Sequence, residues 1–139
     1  MISLDAAREM IAKAREKGRK LGLKPLSVAV LDAGGHLLVF EREDGSSPGR
    51  FEIARGKAYG AVMLGMPGSA QMARAEQQAY FMAAVNGAFE GRVVPVPGGV
   101  LIKQDGAVIG AIGVTGDTSD NDALAAVAGV EAAGFEALA

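Results

Sequence analysis

The segment from Pro97 to Gly116 most constrains what this chain can fold into. It reads Pro97-Gly98-Gly99-Val-Leu-Ile-Lys-Gln-Asp105-Gly106-Ala-Val-Ile-Gly110-Ala-Ile-Gly113-Val-Thr-Gly116. Asp105-Gly106 signals a two-residue hairpin turn, because a type I′ turn needs positive φ at both central positions. Val100 to Lys103 and Ala107 to Val114 are the arms it joins. Gly110, Gly113 and Gly116 recur at every third position along and just past the second arm. Glycine weakens a strand interior unless another backbone, a bulge or a ligand comes close. The segment therefore predicts a hairpin against which something packs tightly, or beside which something binds.

The rest of the chain supplies a second hairpin and several helices. Ser3 is placed to cap a helix from Leu4 to about Leu21, where Leu4, Ala7, Ile11, Ala14 and Leu21 form one apolar stripe. Gly22 is placed to end it, with Pro25 beyond. Leu26 to Leu31 and His36 to Glu43 read as strands around the turn Asp32-Ala33-Gly34-Gly35. A helix follows from Arg50 to Leu64, with Gly56 and Gly60 inside it; each costs about 1 kcal/mol against Ala, which implies close packing. Met66-Pro67-Gly68 breaks the chain before a helical segment from Ser69 to about Met82. Asn86 to Pro97 reads as irregular, with a short extended piece at Arg92 to Val94. Ser119 or Asp120 caps a last helix to about Ala133. The order helix, hairpin, helices, hairpin, helix predicts an α+β fold, with an antiparallel sheet covered by helices. The glycine spacing differs from the dinucleotide-binding pattern and lies on a strand, so that function is excluded.

Composition narrows the chemistry. The 139 residues suit a single domain spanning 1–139. With five Phe, two Tyr and no Trp, the core must be aliphatic. A net charge of −2 gives no pull toward nucleic acid. The basic residues of the first helix alternate with acids and read as a solvated face. The absence of Cys excludes disulfides and thiolate chemistry, and a lone histidine, His36, excludes a multi-His metal site within one subunit. No signal segment and no apolar run near the ~18 residues of a membrane span are present, so a cytoplasmic protein is expected.

Three stretches together resemble the GlcG/HbpS family, also called the haem-degrading domain family. They are Ser27-Val-Ala-Val-Leu-Asp32-Ala-Gly34-Gly35-His36-Leu-Leu-Val-Phe40-x-Arg42-x-Asp44-Gly45, Ile53-Ala54-Arg55-x-Lys57-Ala58, and the Pro97–Gly116 hairpin. The resemblance runs from about Leu4 to Phe135. It implies an antiparallel sheet of about five strands flanked by helices, similar to profilin-like folds, and assembly into homodimers or higher oligomers. It also implies a small-molecule ligand, with haem as the leading candidate. Family members include secreted haem-binding proteins, products of glycolate-utilisation operons and the C-terminal domain of PduO-type adenosyltransferases. Such a family fixes a fold more firmly than a function.

Each candidate site residue carries two readings. His36 is the only imidazole available to haem iron or to acid–base chemistry, and it could equally brace its turn. Arg55 could pair with Glu52 at i,i+3, or could hold a ligand carboxylate together with Lys57, with Arg42 joining the patch. Gly98 and Gly99 could be turn residues, or could offer their N–H groups as an anion-binding nest. Asp117, Asp120 and Asp122 precede the last helix, where negative charge suits the helix dipole. No catalytic set and no metal set emerges. Three functions remain open. They are a haem or carboxylate-ligand binding protein, a cofactor-independent enzyme acting on a small organic acid, and a structural oligomerisation domain.

Overall fold

Strand alternation sorts the apolar residues of this chain into two layers. The computed structural model describes residues 1–139. Its helices are α1 (Leu4–Leu21), α2 (Arg50–Leu64), α3 (Gly68–Gln77), α4 (Ala79–Ala88) and α5 (Ser119–Ala132). Its strands are β1 (Ser27–Asp32), β2 (Leu37–Arg42), β3 (Gly99–Gln104), β4 (Ala107–Thr115) and β5 (Glu136–Leu138). The strands form one antiparallel sheet in the order β2-β1-β4-β3-β5. This is the α+β architecture that the hairpin order predicts.

Val28, Val30, Val100, Ile102, Ile112 and Val114 point to one face, where they are buried with Met10, Ile11 and Ala14 of α1 and Ala125, Ala126 and Val130 of α5. Leu31, Leu101 and Ala111 point to the other face and meet Ala58, Tyr59 and Ala61 of α2. A period of two makes this division unavoidable once the register is set.

The predicted punctuation is largely present. Ser3 Oγ accepts the Ala6 N–H at 3.1 Å, and Gly22 closes α1 in the left-handed region at φ 68°. Asp105 and Gly106 take φ 52° and 81°, as a type I′ turn requires. The differences lie in the connections. The single helix expected from Ser69 is two helices, because Gln78 leaves the helical region at φ −138° and ψ 66°. Arg74 closes that corner by binding the Gln78 side chain and stacking 4.1 Å over the Phe81 ring. The second of these helices runs on to Ala88, into the stretch expected to be irregular. Arg92 to Val94 joins no strand; Val94 N–H donates instead to the carbonyl of Gly56 in α2. Thr118, one residue earlier than expected, caps α5 by accepting the Asn121 N–H. Strand β5 pairs Leu138 with Leu101 and was not visible in the sequence, since three residues carry no periodicity. No helix is long and apolar enough to cross a membrane.

The strand glycines are explained by backbone approach. Gly99 and Gly113 are direct cross-strand partners. A Cβ on Gly113 would collide with the backbone of Ala54, and one on Gly99 with the backbone of Lys57. Helix α2 therefore lies directly on this glycine pair, with its own Ala54 and Ala58 buried against the sheet. Gly113→Ala is expected to cost about 1–3 kcal/mol, because neither backbone can yield without shifting the helix. Gly87→Ala in α4, where a Cβ meets only open space, is expected to be neutral or to stabilise by up to about 1 kcal/mol. Urea unfolding of the two variants separates these outcomes.

Candidate functional site

Three α2 side chains that border a cleft recur every four residues. Phe51, Arg55 and Tyr59 therefore share one stripe. They form one wall of this cleft of about 410 Å³, with His36 and its neighbours in the β1–β2 turn as a second wall and Arg92 as a third. Phe51 is held edge-on to Phe40 at 4.8 Å, and Tyr59 edge-on to Phe89 at 5.8 Å. The Arg92 guanidinium stacks 4.5 Å over the Tyr59 ring, and its Nε donates to the Phe89 carbonyl at 3.0 Å. Arg55, Tyr59 and Arg92 also line an adjoining hollow of about 180 Å³.

Neither guanidinium has an acidic partner. The expected Glu52–Arg55 pair does not form, and Arg92 makes no ion pair. Arg55 is half-buried and Arg92 exposed, so water reaches both guanidiniums.

His36 stands at the lip, with its side chain 80% exposed and Nδ1 3.2 Å from Asp32 Oδ1. The same carboxylate oxygen accepts the N–H of His36 and of Gly34, both at 2.9 Å. The backbone N–H of His36 contributes most to holding the Asp32 carboxyl below its ordinary range, with further help from the Gly34 N–H and the imidazole. Gly34 leaves room for the ring, since a Cβ there would press on Cε1 and Nδ1 of His36. The imidazole is thus braced on its Nδ1 side, and Nε2 is left for other partners.

The other sequence candidates lie elsewhere. Arg42 ends β2 on its exposed side, opposite Ser27, and does not line the cleft. Lys57, Gly98 and Gly99 do come together, but inside the protein. Lys57 is only 2% exposed, and its ammonium donates to Val114 O at 3.0 Å and to Asp122 Oδ2 at 3.1 Å. A Cβ on Gly98 would press on that ammonium, so Gly98 gives Lys57 its space, and Gly99 lies under its backbone. All three are occupied by packing and are turned away from the cleft. Burial pushes the Lys57 ammonium down from its ordinary pKa, and Asp122 pulls it back up. Asp122, expected to serve the helix dipole, is itself buried at 1% exposure and also accepts the Asp117 N–H at 2.9 Å.

A model of the family described as haem degrading protein HbpS-like matches residues 2–131. The chain belongs to the HbpS-like family. It is 33% identical over 119 residues to protein GlcG of Escherichia coli K12, covering 83% of this chain and 81% of GlcG. It is 31% identical over 125 residues to an uncharacterized 15.0 kDa protein from the dhaT-dhaS intergenic region of Citrobacter freundii, covering 90% of this chain and 87% of that one. Among solved structures, a double mutant of Streptomyces reticuli HbpS superposes with a TM-score of 0.80 at 32% identity, covering 94% of this chain and 85% of that one. Within this HbpS-like fold, the residue that sequence reasoning missed is Arg92. It lies in an aperiodic connection, and only the packing of α4 and Phe89 brings it over Tyr59.

Two outcomes test these assignments. Lys57→Met leaves Asp122 buried without its cation and is expected to cost about 3–5 kcal/mol, whereas Lys57→Met with Asp122→Leu is expected to recover most of that loss. Chemical denaturation reads both. Asp117, bound by Asn121, Lys24 N–H and Thr118 N–H, has its pKa lowered to about 2 from an ordinary 3.8. A depressed carboxyl contributes stability above its unfolded value and loses it as the pH falls through the folded one. Stability, read by unfolding at pH 5 down to pH 2, is therefore expected to fall less in Asp117→Asn than in the parent.

Proposed function

We propose that this chain binds haem, or a related tetrapyrrole bearing carboxylates, in the cleft between His36, Arg55 and Arg92, and that it does so as a homo-oligomer. The observation that supports this most is the pairing of two guanidiniums that lack acids with one braced imidazole around a partly aromatic cleft. Arginine forks match carboxylates bidentately, so Arg55 and Arg92 suit a ligand with two acidic arms. Phe51 supplies apolar surface for a macrocycle, and the Tyr59 ring holds Arg92 beside it. An imidazole whose other nitrogen faces a carboxylate is the usual form of a metal-ligating histidine. The donor set therefore fits haem. Bound there, haem would supply a redox-active iron, with His36 Nε2 as its nitrogen ligand and the two arginines on its propionates.

The solved haem complex of PduOC superposes on this chain with a TM-score of 0.86 at 24% identity, covering 96% of this chain and 95% of that one. It supports a shared fold, and the family's description supports the ligand class. The oligomer rests on α4, which packs against no strand and no helix other than α3 while leaving Tyr80 72% exposed.

A second reading draws on the Asp32–His36 contact, which also suits a general base acting on a small organic acid held by Arg55 and Arg92. It predicts turnover that disappears in His36→Ala while the fold survives. The haem reading predicts a saturable Soret shift on titration. It also predicts loss of the nitrogen-ligated spectrum in His36→Ala, and affinity at least about tenfold weaker in Arg55→Ala or Arg92→Ala. A flat absorption titration of the folded parent protein overturns it.

A further inference from the structure

The loop after β2 and the turn after β4 enclose a second hollow, of about 220 Å³, in which no lining residue is hydrophobic. It is lined by Lys24, Ser46, Ser47 and Arg50, with Gly45 and Gly116 completing its wall beside Pro25. From this lining we infer that the hollow is a binding site for a tetrahedral oxyanion, of the class of inorganic phosphate or a phosphate monoester. It is independent of the proposed haem cleft and shares no residue with it.

Two cations, Lys24 and Arg50, line the hollow, and no acid lines it with them. Neither Lys24 nor Arg50 forms an ion pair. Of the acids close in sequence, Asp44 and Glu52 line no part of the hollow, and two others are already engaged. Glu43 is held by Arg15 and Arg19, and Asp117 by the Lys24 N–H, Thr118 N–H and Asn121 side chain. Neither acid lines the hollow. Two adjacent cations without an acid repel each other, and an anion placed between them removes that repulsion.

The site is also organised in advance. Arg50 Nη1 donates to Thr115 Oγ1 at 2.7 Å, and Thr115 is fully buried. That bond anchors the guanidinium and leaves its remaining donors free. Ser46 Oγ shares a hydrogen bond of 2.9 Å with Ser27 Oγ, which is buried. When Ser27 donates in that bond, the Ser46 proton is free to serve a ligand. A Cβ on Gly116 would run into the Pro25 backbone, so the wall closes tightly there.

The donor types select the geometry. A planar carboxylate is satisfied by an arginine fork alone. A lysine point charge and serine hydroxyls add donors outside that plane, which suits the oxygens of a tetrahedral anion. The start of α2 at Arg50 adds positive potential of the same sign. Arg50 and Arg55 are five residues apart on α2, about 140° around its axis, so the two arginines serve different surfaces.

The test is a titration of the ¹⁵N-labelled full chain with inorganic phosphate, at constant ionic strength balanced by chloride. Expected are saturable shifts of the Ser46, Ser47, Arg50 and Gly116 amides, with the apparent Kd raised at least about tenfold in Lys24→Gln and Arg50→Gln. Arg55→Gln should leave phosphate binding unchanged, which separates this site from the haem cleft. Lys24 is exposed and its ammonium forms no hydrogen bond or ion pair, so Lys24→Gln decides the matter should Arg50→Gln perturb the fold. Glycerol phosphate binding as well as inorganic phosphate identifies a monoester site, and phosphate alone identifies a free-ion site. Acetate shifting the same amides as strongly overturns the tetrahedral assignment. Linear, unsaturated shifts, or shifts equal in parent and Lys24→Gln, overturn the site itself.

Discussion

The backbone of α2 rests on two facing glycines, and everything this helix carries depends on that contact. Gly99 and Gly113 sit opposite each other in β3 and β4, and any Cβ on either would meet main-chain atoms of α2. At this short range Lys57 reaches past the sheet to Val114 O and to Asp122 at the start of α5. Helix α2 covers one face of the sheet and α5 the other, so this ion pair joins the two layers at the end of β4. A buried pair repays little of its desolvation. Its effect here is positional, because it sets how far α2 slides along the sheet. With α2 so placed, the Phe51–Arg55–Tyr59 stripe faces the β1–β2 turn, and Arg50 reaches Thr115.

Local chemistry made most of this architecture legible in the sequence. The Asp105-Gly106 turn, the Ser3 and Gly22 ends of α1 and the span of α2 each depend on residues within a few positions of one another. The glycine-punctuated strand announced a close approach without naming the approaching element. The features that escaped depend on distant partners. Gln78 breaks a helix without Pro or Gly because Arg74 and Phe81 stabilise the corner. β5 exists because β3 has a free edge. Lys57 read as a surface cation because it sits near Arg55 in the sequence. Residues two positions apart on a helix lie about 200° apart around its axis, so Arg55 and Lys57 had to face opposite ways. The apolar neighbours Ala54, Ala58 and Ala61 were the available sign that Lys57 was the one facing inward.

The three cations of α2 meet their charge in different ways, and the difference follows from burial. Lys57, withdrawn from water, requires Asp122; without it the group would give up its proton. Arg55 remains half in solvent and needs no internal acid. Arg50 lies between these limits. It is half-buried, bound to a neutral hydroxyl, and close enough to Lys57 for its charge to oppose the lysine's protonation. An uncompensated charge beside a buried cation raises the free energy of both. The fold has left that charge facing a polar hollow instead of neutralising it with an acid of its own. A negative ligand beside Arg50 would relieve the strain on both cations, and its binding and the protonation of Lys57 would then favour each other, as linkage requires. The helix that the two glycines bring onto the sheet therefore carries one charge satisfied internally and two that face outward.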